Sequence, residues 1–327
     1  MAEKIPVIAV VGPTATGKTA LGAALARKYG GEIVSCDSMQ IYRGLPIGTA
    51  QPTPEERRQA PHHLVDFLEW DKAFSVSDYV DLAGRVIGDI HARGKLPILV
   101  GGTGLYARSL LRGFSFEETA RDEAMRQELF RQGEEEGPEA LYHRLEELDP
   151  VGAAQIHPHN VKRVVRALEY CLLSGEPFSN QAARSKQARS PYRYHMLCLN
   201  FASRETLYRR IDRRVDAMVE EGLLEEARGF FTWCQEWGTP ATAAQAIGYK
   251  ELFPYFRGEV SLEQAVEDIK RESRRYAKRQ ITWFQREEHV SFLYLDQCAG
   301  PSQVLEKAEA ILREQGLLPA EAQGGTT

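Results

Sequence analysis

The sequence predicts an α/β fold, a parallel sheet flanked by helices and interrupted by an inserted all-helical domain. Three observations predict it. Short continuous apolar runs alternate with helical stretches over the first 113 residues, and a run of this kind returns near residue 194. The first of these runs ends at glycine, and so does the run after residue 95, as buried parallel strands often do. Between about 114 and 191 the helical patterning continues without a strand-like run. Strands joined through helices require crossovers, hence a parallel sheet covered on both faces.

The elements follow in order. Ile5 to Val11 is apolar throughout and stops at Gly12, so it reads as a buried strand. Ala20 to Tyr29 is an Ala/Leu-rich helix closed by Gly30-Gly31. Glu32 to Cys36 is a second strand. Residues 75–93 form a helix capped by Ser75 or Ser77 and ended by Gly94. Leu96 to Val100 is a third strand, breaking at Gly101-Gly102. Helices then occupy 121–175, with breaks at Gly137-Pro138 and His157-Pro158. Tyr194 to Phe201 is another strand, followed by helices from Glu205 and from Leu262. The expected domains are a catalytic core (1–113 and 192–318), a helical insertion (114–191) and a disordered tail (319–327).

Composition narrows the function classes. With 327 residues, 43% hydrophobic and 27% charged, the chain is neither disordered nor a rod. No apolar run reaches the ~18 residues of a membrane span. The first residues lack the apolar core of a signal peptide. Five scattered cysteines without a Cys-x-x-Cys pair argue for a reducing cytoplasm and against a zinc site. The histidines at 62–63 and 157–159 have no acid or cysteine beside them to complete a metal site.

The net charge of −5 hides an uneven distribution. Residues 117–149 carry twelve acids against four bases. Residues 162–193 reverse this, with Lys162, Arg163, Arg166, Arg184, Lys186, Arg189 and Arg193 against Glu169 and Glu176. Residues 270–279 hold six bases against Glu272 alone. Each run alone could be a solvated helix face. With Tyr192, Tyr194, Tyr276, Trp283 and Phe284 nearby, the two basic runs point to an anionic polymer.

The strongest local signal is Gly12-Pro13-Thr14-Ala15-Thr16-Gly17-Lys18-Thr19, a G-x-x-x-x-G-K-[ST] motif between a strand and a helix. Its amides and the helix start form a phosphate cradle, Lys18 adds a point charge, and Thr19 is a magnesium-ligand candidate. The core is therefore expected to be P-loop NTPase-like. The motif is the usual nucleotide- and ATP-binding one, yet the strand Leu96–Val100 leads into glycines and no acid, so ATP hydrolysis is not expected. The acid stands instead at Asp37, after the second strand. In open parallel sheets Gly12, Asp37 and Gly101 would converge beyond the strand ends. A carboxylate placed beside a phosphate cradle is more than a turn former and can accept a proton.

These residues carry a family resemblance. Gly12–Thr19, Asp37-Ser38-x-Gln40-x-Tyr42-x-Gly44, Ile47-Gly48-Thr49-Ala50, Pro61-His62-His63-Leu64 and Gly101-Gly102-Thr103-Gly104-Leu105-Tyr106 resemble the tRNA dimethylallyltransferases. So do Arg163-x-x-Arg166-Ala167-Leu168-Glu169, Gly222-Leu223, Gly248-Tyr249-Lys250-Glu251 and Tyr276-Ala277-Lys278-Arg279-Gln280-x-Thr282-Trp283-Phe284. The likeness runs in family order from about residue 5 to 286. Asn160 and Ser273 depart from the residues many members carry, Asp and Thr.

The resemblance implies transfer of a dimethylallyl group from its diphosphate to N6 of the adenosine 3′ of the tRNA anticodon, with Mg2+. It implies Asp37, Thr103 and Arg214 as catalytic residues, with Arg213 left as the alternative to Arg214. Gly12 to Thr19 would bind the diphosphate. The implied RNA contacts are Asp37, Ser38, Met39, Gln40, Thr103, Lys162, Arg163, Val164, Val165, Arg166, Gly248, Tyr249, Lys250, Lys278 and Arg279. A cytoplasmic monomer acting on the anticodon stem-loop is expected, with no membrane partner. Three rivals remain: an adenylate isopentenyltransferase using free nucleotide, a small-molecule kinase, and a non-enzymatic RNA-binding switch.

Overall fold

The computed structural model describes residues 3–114, 122–187, 189–240 and 242–320. Its order is β1 (Ile5–Val11), α1 (Lys18–Tyr29), β2 (Gly31–Ser35), α2 (Pro54–Gln59), β3 (His62–His63), α3 (Val76–Ala92), β4 (Leu96–Gly101) and α4 (Gly104–Leu111). Then come α5 (Glu123–Glu135), α6 (Pro138–Leu148), α7 (Pro150–Ala153), α8 (Val161–Ser174) and α9 (Phe178–Gln187). The chain returns through β5 (Tyr192–Asn200), α10 (Arg204–Glu220), α11 (Leu223–Trp237), α12 (Phe253–Phe256), α13 (Leu262–Phe284), β6 (Val290–Tyr294) and α14 (Pro301–Glu314). Two compact units result, Met1–Leu111 with Pro191–Thr327, and Arg112–Ser190.

The α/β unit holds a six-stranded sheet of order β3-β2-β4-β1-β5-β6. All its pairings are parallel. The residues of β1 divide by the period of two. Val7, Ala9 and Val11 pack with Tyr79, Ala83 and Ile87 of α3. Ile8 and Val10 face Leu21 and Leu25 of α1, with Ala308 and Leu312 of α14 in the same cluster. Each such Val, Ile or Leu stabilises by about 1.5–3 kcal/mol on burial, which explains an uninterrupted apolar strand. Helix α3 starts at Ser75, whose hydroxyl accepts from Asp78 N while Asp78 answers with a bond from Ser75 N. Gly30, left-handed at φ 62°, closes α1.

The sequence-predicted strands appear with shifts of a residue or two. Two edge strands were not anticipated. β3 is two residues long, and β6, Val290–Tyr294, is only half-buried. Neither has the fully buried apolar run that marks a central strand.

The helical unit contains no strand among its described residues. Leu129, Leu141, Leu145, Val164, Val165 and Leu168 form its core. Gly137 precedes Pro138 at the start of α6, and Asn160 caps α8 by accepting from Arg163 N. The expected tail lies outside the described residues from 321 onward, as do residues 117–121 of the acidic stretch and the side chain of Lys186.

Candidate active site

Strand register brings the chemistry together. β2, β4 and β1 are neighbours, with Ser35 opposite Val100 and Gly101 opposite Val11. Their carboxyl ends therefore deliver Asp37, the Gly101 turn and the Gly12 loop to one edge of the sheet. A cavity of about 700 Å³ opens there, lined by Lys18, Thr19, Asp37, Gln40, Arg214 and Tyr276 among others.

The loop after β1 is built for close approach. Gly12 has φ 133°, and a β-carbon on it would stand 2.3 Å from the Leu199 carbonyl, so only glycine fits. The Thr16 hydroxyl and the Lys18 ammonium both donate to Pro13 O at 2.8 Å, holding the loop curled. Burial, and then the Arg214 charge, push the Lys18 ammonium down to about 8, with Asp37 opposing. Burial likewise lowers Arg214, again against Asp37. Glu56 and Glu221 also act on Arg214 and line the cavity, so its wall carries Lys18, Arg214, Lys250 and Arg279 against Asp37, Glu56 and Glu221, a small excess of positive charge that suits an anion.

Asp37 shapes its own loop. Its Oδ1 accepts from Met39 N at 2.9 Å and Gln40 N at 3.4 Å. Thr103 Oγ1 accepts from Ser38 N at 3.0 Å and donates to Ser38 Oγ at 3.3 Å. Thr103 thus steadies the turn that carries Asp37. Gln40 spends its amide within the protein, donating to Ala50 O at 2.8 Å and accepting from Ser35 Oγ at 3.2 Å.

Between the two candidate arginines the geometry is clear. Arg214 lines the cavity, whereas Arg213 is exposed and absent from its wall. Thr19 also faces the cavity, at the start of α1. Gly248 and Lys250 line it too, but the Tyr249 side chain is fully buried and donates to Glu226 Oε1 at 2.6 Å. Tyr249 therefore acts from inside the core. Val164 and Val165 are likewise buried in the helical unit, so their side chains offer RNA no surface. Their neighbours Lys162 and Arg163 are exposed, and Arg166 donates to buried Glu169 at 3.1 Å.

The basic run on α13 is mostly neutralised. Lys270 pairs with Asp216 at 2.7 Å, Arg274 with Asp212 at 2.5 Å and Arg275 with Glu272 at 2.6 Å. Arg271 pairs with Asp268. Lys278 and Arg279 are exposed and have no carboxylate partner among the described residues. They line a second hollow of about 580 Å³ with Arg108, Trp283 and Arg286.

Comparison with known proteins decides the family. The IPP transferase family model matches residues 40–287, and an isopentenyl transferase model matches 5–65. A tRNA dimethylallyltransferase of Geobacillus kaustophilus is 51% identical, over 89% of this chain and 90% of its own. The chain belongs to the tRNA dimethylallyltransferase family. A second member, from Geobacillus thermodenitrificans, is 48% identical over 96% of both chains. The solved tRNA isopentenylpyrophosphate transferase of Bacillus halodurans matches with TM-score 0.69 and 42% identity, over 96% of this chain and 98% of that one. A eukaryotic dimethylallyltransferase acting on tRNA matches with TM-score 0.83 and 29% identity, covering 98% and 81%. The family thus shares a P-loop NTPase-like α/β architecture with this chain.

Two site residues escaped sequence reasoning. Gln280 donates from Nε2 to Gly102 O at 3.0 Å, and its Oε1 accepts from Thr14 N at 3.0 Å. Glu226 accepts from Ile47 N and Gly48 N at 2.9 and 2.8 Å, fixing a cavity wall. The signal for Gln280 was present: it shares the buried face of α13 with Ala277, Ile281 and Phe284, and a buried polar residue needs partners. Among the described residues no three His, Cys, Asp or Glu form a metal cluster, and no helix is long and apolar enough to cross a membrane.

Proposed function

We infer that this protein transfers the dimethylallyl group of dimethylallyl diphosphate to N6 of the adenosine 3′ of the tRNA anticodon. One observation carries the reading: a single cavity holds the phosphate loop, Lys18, Arg214 and Asp37, while the strand next to the loop ends in glycine instead of an acid. That set suits departure of a diphosphate and removal of a proton, and it lacks the acid that would order water for ATP hydrolysis.

In the transfer, the N6 lone pair forms a bond to C1 of the donor as the C1–O bond breaks. The electron pair leaves with the diphosphate, whose growing charge meets Lys18, Arg214 and the loop amides. The amine proton passes to Asp37, held in place by its bonds to Met39 N and by Thr103 through Ser38. Ile47, Val215, Met218 and Ile247 offer the five-carbon tail an apolar wall. Thr19 fits a magnesium ion, because the cavity side chains present oxygen and not imidazole, and this cation keeps phosphate and water ligands. When bound, the ion would spread the diphosphate charge.

The reacting base must leave its stack, which costs least in a single-stranded loop. Lys162, Arg163, Lys278 and Arg279 supply exposed cations for the backbone of that loop. Five free cysteines, four of them buried, suit a reducing cytoplasm, and we read the protein as a monomer there. Labelled dimethylallyl diphosphate offered with tRNA, AMP or neither tests the reading. Label should enter tRNA alone; transfer to AMP in preference to tRNA would replace it with the free-nucleotide activity.

A further inference from the structure

We propose that Gln280 is a positioning residue for the transfer, a strut that fixes the distance between the diphosphate loop and the turn carrying Thr103. The proposal rests on the donor-site reading above. Gln280 is buried, on the face of α13 that turns towards the sheet edge. Its carboxamide is shared between two loops that follow different strands. Oε1 takes the N–H of Thr14, in the middle of the phosphate loop, and Nε2 gives its hydrogen to the carbonyl of Gly102, next to Thr103.

Both contacts are 3.0 Å, and the strands that carry the two loops, β1 and β4, are paired side by side. The approach is close: a β-carbon on Gly102 would stand 2.1 Å from Nε2. One turn earlier on the same helix, Tyr276 lines the same cavity as Gln280, Asp37 and the loop after β1.

The chemistry of the side chain explains why glutamine stands here. The site asks for one acceptor and one donor on a single planar group. Glutamate can accept from Thr14 but cannot donate to Gly102. Lysine and arginine can donate but cannot accept. Asparagine has the right group one methylene short. Methionine fills a similar volume and supplies neither bond.

The consequence is kinetic. Donor C1 is located by the phosphate loop, and the acceptor amine by the segment that Thr103 steadies. A displacement of about 1 Å between them can cost on the order of 10²-fold in rate without loss of either substrate. A residue that holds this spacing should therefore act on kcat and leave binding nearly alone.

The test compares wild type with Gln280→Glu and Gln280→Met. It measures kcat with saturating dimethylallyl diphosphate and tRNA, the KM for tRNA, the affinity for inorganic pyrophosphate, and Tm. The expected result for both variants is a fall in kcat of roughly 10- to 100-fold. Pyrophosphate affinity and tRNA KM should stay within about threefold, with folded protein at the assay temperature.

Unchanged kcat in either folded variant overturns the role. So does a loss accounted for wholly by pyrophosphate affinity or by tRNA KM, which would make Gln280 a binding residue. Should Gln280→Met not fold, Gln280→Glu keeps the shape and decides the matter. Wild type in the same assay reports on the underlying reading alone: if it transfers nothing, that reading and this one fall together. If it transfers and the variants match it, only the role of Gln280 falls.

Discussion

The cations of the central cavity and those on the helix surfaces look alike in the sequence and behave differently in the structure. Lys18 and Arg214 are enclosed, both feel Asp37, and both are driven towards their neutral forms by burial, with Glu56 and Glu221 opposing this at Arg214. On α13, Lys270, Arg271, Arg274 and Arg275 are matched by acids at salt-bridge distance. Lys162 and Arg163 on α8 stand in solvent. Charge held inside without full compensation is poised for an incoming anion and its chemistry. Charge at the surface is screened and serves encounter and grip. On the proposed function, the difference separates catalysis from docking.

The largest effect belongs to Asp37. Asp37→Asn keeps the turn-forming acceptor and removes the proton acceptor, so kcat should fall about 10²-fold or more with tRNA affinity little changed. Retention of most of kcat would remove the base from the account.

Lys18 comes next, through pH. With its proton lost near 8 in the empty protein, pyrophosphate affinity should weaken as pH rises beyond that, approaching tenfold per unit. In Lys18→Arg the charge persists and the decline should flatten, the ionisation of pyrophosphate being common to both proteins. The sign for stability is opposite. A folded value below the unfolded one means the unfolded chain binds more protons between about 8 and 10.5, so this group makes the empty protein more stable as pH rises through that window. Parallel pyrophosphate titrations of the two proteins read the first effect, and their difference in denaturation midpoint against pH reads the second.

The surface cations should act on RNA alone. Lys162→Ala with Arg163→Ala should raise the tRNA KM and flatten the dependence of log affinity on log salt by ~1.4, two contacts at about 0.7 each for a single strand. Affinity for pyrophosphate should not move. Arg166 is left out because it holds buried Glu169 together with Arg126. The smallest effect is expected at Arg274, whose charge is already met by Asp212. Arg274→Ala should change tRNA KM by less than about twofold; a larger rise would show that paired cations also grip RNA.

The sequence revealed most where one residue type has one physical use. The curled loop Gly12–Thr19 was legible because Gly12 and Lys18 have few other reasons to stand at that spacing between strand and helix. The central strands were legible because burial on both faces forces unbroken apolar runs. Edge strands β3 and β6 were not, since half-buried backbone tolerates mixed composition. Burial was the other blind spot. Motif membership placed Tyr249, Val164 and Val165 beside RNA, whereas helical spacing on α8 and the Glu226 bond put their side chains in cores. Gln280 stood within a family motif but was given no site role, because its importance lies in two backbone atoms more than 170 residues away in sequence.

The central claim is that the cavity joins a dimethylallyl donor to one adenine of tRNA. Nucleoside mapping tests it most directly, using tRNA incubated with labelled dimethylallyl diphosphate, digested, and resolved position by position. The account predicts label on N6 of the adenosine 3′ of the anticodon, and none when that adenosine is replaced by guanosine. Label at another nucleotide, or label that survives the replacement, would contradict it.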